Sequence, residues 1–138
     1  MRRAQRDGEL EAALELRERV FCGEQGVSVE ADRDGRDHES VHIVAVSDER
    51  VIGTCRLLFG GRVARLGRLV VEPELRGRGV AGAILREADR VALDGGAGRI
   101  ALHAQTYALS LYIEHGYAER GARFTEEGIE HLAMEKEL

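Results

Sequence analysis

Gly77, Gly79 and Gly82, with Arg76 and Arg78 beside them, are the residues of this chain best suited to hold an anion. They belong to Val70-Val71-Glu72-Pro73-Glu74-Leu75-Arg76-Gly77-Arg78-Gly79-Val80-Ala81-Gly82, which reads as an apolar strand, a glycine turn and a helix start. The first turn of a helix carries unpaired N–H groups and the positive end of the helix dipole. Glycine lets a backbone approach a ligand closely and take positive φ. The two guanidinium groups add charge-assisted hydrogen bonds. Together these make a phosphate cradle. A Walker A loop would end in Gly-Lys-Ser/Thr, and this turn does not. Gly77-x-Gly79-x-x-Gly82 has the letters of the dinucleotide fingerprint. That fingerprint follows the first strand of a βαβ unit and has an acidic residue ~20 positions on. Here three strands come earlier, and Asp94 comes too soon, beside glycines at a helix end. The plain alternative is a solvated, arginine-rich helix start.

Other residues have reactive side chains without a spacing that assigns them. Tyr107, Tyr112 and Tyr117 crowd one segment, as packed aromatics do. Asp32, Asp34, Asp37, His38 and His42 form a polar cluster. A calcium loop would need an acidic or amide side chain where Arg36 stands, so no metal is expected. His42 lies in an apolar stretch, the usual setting of a satisfied core histidine, and His131 is similar. Cys22 and Cys55 have no obvious base partner and read as buried thiols.

The elements around these residues follow from periodicity. Leu10, Ala13, Leu14 and Phe21 give an amphipathic helix over 9–21, started by Asp7 and Gly8. Residues 23–39 read as a long ordered loop with room for one short helix. Val41 to Ser47 and Val51 to Leu58 read as a hairpin around Asp48-Glu49-Arg50. Val63 to Glu72 is a third strand whose apolar end suits cover on both faces. Val80, Ala81, Ile84, Leu85, Ala88, Val91 and Ala92 make one face of a helix closed by Gly95-Gly96. Arg99 to Ala104 is a strand and Tyr107 to His115 a short helix closed by Gly116. A turn near Glu126-Glu127-Gly128 and a last strand over His131 to Lys136 complete the chain. Helix, strands, helix, strand, helix, strand is the order of a mixed sheet with helices on its faces.

At 138 residues the chain is expected to be one domain, 1–138, burying roughly 68% of its unfolded surface. No apolar run reaches membrane-span length, and residues 1–8 show no secretory apolar stretch, so a cytoplasmic protein is expected. Net charge is −5, which argues against a nucleic-acid partner. Within that acidic total, residues 62–78 hold five arginines against Glu72 and Glu74, a local patch suited to a small anion.

Arg76-x-x-Gly79-x-Ala81, between an apolar strand and a helix, resembles the pyrophosphate-binding motif Gln/Arg-x-x-Gly-x-Gly/Ala of the GNAT superfamily of acyl-CoA N-acyltransferases. The resemblance, to the ElaA-like branch, covers nearly the whole chain. It includes 20–27 (Val-Phe-Cys-Gly-Glu-Gln-Gly-Val), Asp32-x-Asp34-x-x-Asp37 with His42, 102–105 (Leu-His-Ala-Gln), 111–117 (Leu-Tyr-Ile-Glu-His-Gly-Tyr) and 128–134 (Gly-Ile-Glu-His-Leu-Ala-Met). The departures are a first strand cut to a few residues near Met1 to Ala4, and Cys22 where a bulkier apolar residue is usual.

The resemblance implies a mixed, mostly antiparallel α/β sheet with helices on both faces and two parallel central strands that splay apart. Acetyl-CoA would lie in the splay as co-substrate, with no metal. Leu69, Val70 and Val71 would pair with its pantetheine arm, and Arg76, Gly77, Arg78, Gly79, Val80, Ala81 and Gly82 would hold its pyrophosphate. Gln105 stands where the family usually has Asn, to bond the same arm or simply to start a helix. A primary amine of a small molecule or peptide would attack the thioester directly, with Tyr112 as general acid. Glu24 would be a base or an amine-binding carboxylate. Gln25, His42 and His103 would border the acceptor. The enzyme would be a monomer or a homodimer, with the last strand as a possible dimer edge. The alternatives are an acyl-CoA-binding sensor without turnover, an acyl-homoserine-lactone-synthase-like enzyme, and a structural domain whose glycine turn only starts a helix.

Overall fold

A computed structural model describes residues 2–3, 8–28 and 32–138. Its centre is one seven-stranded sheet in the order β1-β2-β3-β4-β5-β7-β6. The strands are β1 (Arg2–Arg3), β2 (Val41–Ser47), β3 (Arg50–Gly60), β4 (Val63–Val71), β5 (Arg99–Gln105), β6 (Ala118–Glu126) and β7 (Ile129–Glu137). All neighbours are antiparallel except β4 and β5. Asp48 and Glu49 close the β2–β3 hairpin with φ of 51° and 62°, the left-handed pair that a two-residue turn demands.

The faces are covered by the helices α1 (Glu9–Arg17), α2 (Val80–Asp94) and α3 (Leu109–Glu114). The buried stripe of α1 is Ala13, Leu16 and Arg17, while Leu10, expected on the apolar face, is 40% exposed. After Arg17 the helix continues as a π-helical turn over Glu18–Glu24, with Gln25 N–H donating to the Val20 carbonyl. This widened turn carries the chain to Glu24 and Gln25 at the edge of the central cavity. The loop that follows holds a 3-10 turn at Asp37–Glu39, a short helix of the kind expected there. Asp7 and the outer residues of the expected first strand lie outside the described residues.

Strand alternation divides the core. Ile43, Ala45, Ala64 and Leu66 face α2 and α3, whereas Val44, Val51 and Val70 meet Ala13, Leu16 and Val20. In β4 the alternation changes phase. Thr54 of β3 faces Val70 and Arg56 faces Gly67, so β4 carries one residue more than its partner, and Arg68 takes a φ of 57°. A bulge of this kind moves the following side chains to the other face. Leu69 and Val71 therefore join the α2 side after Ala64 and Leu66.

Two expectations need correction. Ala118–Glu126, for which the sequence pattern predicts no strand, forms β6, the polar and almost wholly exposed edge. The last strand, β7, lies between β5 and β6, so it offers no free edge for a dimer.

Candidate active site

The parallel pair β4–β5 is joined only at Val63–Arg99, Ala64–Ile100 and Arg65–Ala101. Beyond Arg65 the strands part, while β4 keeps pairing with β3 up to Val71 and β5 keeps pairing with β7 up to Gln105. The facing edges of the two strands thus lack a sheet partner along this stretch. Backbone N–H and C=O groups left this way require another partner, and an extended ligand can supply one. A cavity of about 850 Å³ occupies the gap. Of the residues expected in the site, Leu69, Val70, Val71, Arg76, Ala81, Gln105, Tyr112, Gln25 and His103 line it, as does His131. Gly77, Arg78, Gly79, Val80 and Gly82 form the adjoining turn, and Glu24 borders Arg76 rather than the cavity wall.

The turn has the geometry of an anion cradle. Gly77 and Gly79 have φ of 80° and 81°, open only to glycine without strain. Gly79 is the N-cap of α2, no side chain caps the helix, and no acidic residue stands in its first turn. Its leading N–H groups and dipole end are therefore uncompensated. Gly82 is a glycine for packing: a Cβ there would stand 3.0 Å from His115 Nε2. Arg78 has no hydrogen-bond or ion-pair partner among the described residues. Arg76 is engaged by Glu24 at 2.8 and 3.1 Å. That contact holds the Glu24 carboxyl below the usual carboxylate range, which makes it a weak base.

Tyr112 is 8% exposed, packs edge-to-face on Tyr117 with ring centroids 5.8 Å apart, and lines the cavity. Its hydroxyl has no hydrogen-bond partner among the described residues. Burial pushes the phenol well above its ordinary value, so it keeps its proton at neutral pH. On the same wall Gln105 donates to the Gln25 side chain at 2.8 Å, and Gln25 donates to the Tyr107 hydroxyl at 3.2 Å. This chain ties the turn after α1 to the end of β5.

His42 is 7% exposed, and its Nε2 donates to the Asp37 carbonyl at 2.9 Å. It does not line the cavity and is satisfied within the fold. The neighbouring aspartates bind arginines. Arg17 reaches Asp32 and Asp37 at 3.2 and 2.7 Å, Arg56 reaches Asp34 and Asp37 at 2.5 and 3.1 Å, and Arg68 extends from the β4 bulge to Asp32 and Asp34. Cys55 is buried, which pushes its thiol up to about 12 and makes it a poor nucleophile.

Sequence reasoning missed Glu126. It lines the cavity between two histidines, 3.4 Å from His103 Nδ1 and 3.8 Å from His131 Nε2. Only the pairing of β6 with β7 brings it there, so the turn letters Glu-Glu-Gly gave no signal.

Residues 9–138 match the acetyltransferase (GNAT) domain family. A curated relative, an uncharacterized N-acetyltransferase named YjcF from Bacillus subtilis, is 36% identical over 97% of this chain and 96% of its own length. A putative N-acetyltransferase from Lactobacillus plantarum superposes with a TM-score of 0.89 at 27% identity, covering 96% of this chain and 93% of that one. ElaA from Escherichia coli has the same fold, with a TM-score of 0.86 at 24% identity over 96% and 93% of the two chains. An aminoglycoside 6'-N-acetyltransferase complexed with coenzyme A also shares it, with a TM-score of 0.77 at 14% identity over 99% and 97%. No helix among the described residues is long and apolar enough to cross a membrane. With its parted parallel strands, uncapped glycine turn and family match over nearly its full length, the chain belongs to the GNAT family of acyl-CoA N-acyltransferases.

Proposed function

We propose that this protein transfers an acetyl group from acetyl-CoA directly to a primary amine of a small molecule or peptide in the cytoplasm. The observation that carries the reading is the continuity of the site. One cavity runs from the uncapped glycine turn, past the unpaired edge of Leu69–Val71, to the Tyr112 hydroxyl. An acyl-CoA matches that sequence of chemistry, with pyrophosphate at a helix N-terminus, an amide-bearing arm beside a strand edge, and a thioester near a proton donor. Arg78 and the amides that begin α2 bind the pyrophosphate. Arg76 joins them once it leaves Glu24, and Gln105 bonds the arm. The attacking amine forms a bond to the thioester carbon, the C–S bond breaks, and Tyr112 gives its proton to the departing sulfur.

Calorimetric titration with acetyl-CoA tests this reading. One site per chain is expected. Arg76→Glu should weaken it roughly 10- to 100-fold, the range of a lost charge-assisted contact. No heat and no thermal stabilisation with any acyl-CoA would remove the reading.

A further inference from the structure

We infer that His103 is the base that prepares the acceptor amine, with Glu126 as the residue that positions its imidazole; the inference rests on the acyl-transfer reading above. A primary amine reaches the enzyme mostly as an ammonium ion and cannot attack until it loses a proton. Most other candidate bases around the cavity are engaged. Asp32 is bound by Arg17 and Arg68, Glu135 by Arg120 and Arg99, and Glu24 by Arg76. His131 is 7% exposed, and its Nδ1 donates to the Ile129 carbonyl at 2.7 Å.

His103 differs in each respect. It projects from β5 into the cavity and its side chain is 48% exposed. Its Nδ1 faces the Glu126 carboxylate at 3.4 Å. An ionised carboxylate only accepts, so Nδ1 carries the hydrogen and Nε2 keeps the lone pair. Phe124 fixes the ring from the side, edge-to-face at 4.9 Å, and is itself stacked on His131 at 5.9 Å. The charged groups facing His103 are Glu126 of β6 and His131 of β7, followed along the same face by Arg120 and Glu135, which pair with each other. Two rings and one carboxylate thus hold an imidazole whose Nε2 has no partner among the described residues.

The protons balance. Nε2 takes one proton from the ammonium and releases it to solvent. The freed lone pair forms the C–N bond while the C–S bond breaks, and the sulfur takes the proton of Tyr112. The second N–H proton leaves as the amide forms and restores the phenol.

The test uses the full chain, acetyl-CoA and a panel of primary monoamines, polyamines and amino-acid amides as probe acceptors. Thiol release is followed, and acetyl-CoA affinity is measured on the same preparations. His103→Ala should keep its melting temperature and its acetyl-CoA affinity and lose about 10²- to 10⁴-fold in kcat. The loss should shrink as pH rises, since solvent then deprotonates the amine, and added imidazole should restore part of it. Glu126→Gln should lose about tenfold and Glu126→Asp should recover most of that. Turnover of His103→Ala within twofold of wild type, or a loss that neither imidazole nor high pH relieves, overturns the inference and leaves acyl transfer standing. Wild-type protein that releases no thiol with any of these amines overturns the acyl-transfer reading, and the inference falls with it.

Discussion

The acid proposed for the departing sulfur must hold its proton until the bond breaks, and burial gives the Tyr112 phenol that property by desolvation. Its ring belongs to the core beneath β4 and β5, while its hydroxyl has no partner within the described fold. Replacing it with Phe keeps the ring packing on Tyr117 and removes no hydrogen bond. Tyr112→Phe should therefore unfold within a few degrees of wild type, bind acetyl-CoA normally, and lose about 10²-fold or more in kcat. Unchanged turnover in a thiol-release assay would exclude the acid role. The short helix that carries Tyr112 was legible because it is a local run of residues. The Glu126–His103 contact was not legible, because a sheet register joins positions 23 residues apart. The partners of Arg76 and Arg68 were hidden for the same reason. Of the five arginines of residues 62–78, those two are engaged by carboxylates, while Arg62, Arg65 and Arg78 have no ion pair among the described residues.

Among the elements, α2 sets the direction of the glycine turn, and a glycine on the neighbouring sheet packs against α2. A Cβ on Gly53 of β3 would lie 2.9 Å from Ile84 Cδ1, 3.2 Å from Val80 Cγ1 and 3.2 Å from the Val70 carbonyl. Gly53 is thus the surface on which the first turn of α2 rests. Gly53→Ala should cost about 1–3 kcal/mol, the range of overpacking, because the Val70 backbone cannot yield as a side chain can. Since Val80 opens the helix, acetyl-CoA affinity should fall with it. Urea unfolding and calorimetry on the one variant measure both, and a variant with native stability and native affinity would show that α2 does not depend on this contact. The helix itself was plain from its 3.6-residue apolar period, as were β2 and β3 from their β-branched runs. Strand β6 was not, because as an exposed edge it has no buried face to impose alternation. The bulge in β4 was also hidden: an arginine and not a glycine takes the positive φ there, and its ion pairs with Asp32 and Asp34 come from a loop more than thirty residues away.

At the scale of the whole molecule, the α1 side of the sheet is held by charge as much as by apolar contact. Arg17 of α1, Arg56 of β3 and Arg68 of the β4 bulge share Asp32, Asp34 and Asp37 of the intervening loop. This loop, whose Asp32 lines the cavity, is thereby tied to three elements at once. Hydrogen bonds from Arg56 hold the Asp34 carboxyl far below the usual range. Burial pushes Asp37 up, but Arg17 and Arg56 outweigh it and the net direction is down. A carboxyl depressed on folding stabilises the fold above its unfolded value of about 3.9, and that contribution is lost as pH falls below it toward the folded value. The melting temperature should thus be level near neutrality and decline below about pH 4. Asp34→Asn should melt lower than wild type at pH 7, because Arg56 keeps only Asp37. The gap between the two should narrow as the pH falls below about 4, since protonation of Asp34 in the unfolded wild type begins to remove what the substitution has already removed. Glu24, Glu72 and Glu74 are depressed as well and add a slope of the same sign to both proteins, so the difference between the curves is the informative quantity. Thermal unfolding of the pair at constant ionic strength from pH 7 to pH 3 measures it. Parallel curves would mean that the Asp34–Arg56 pair does not carry the acid sensitivity, and that the loop is held on the sheet by its other contacts.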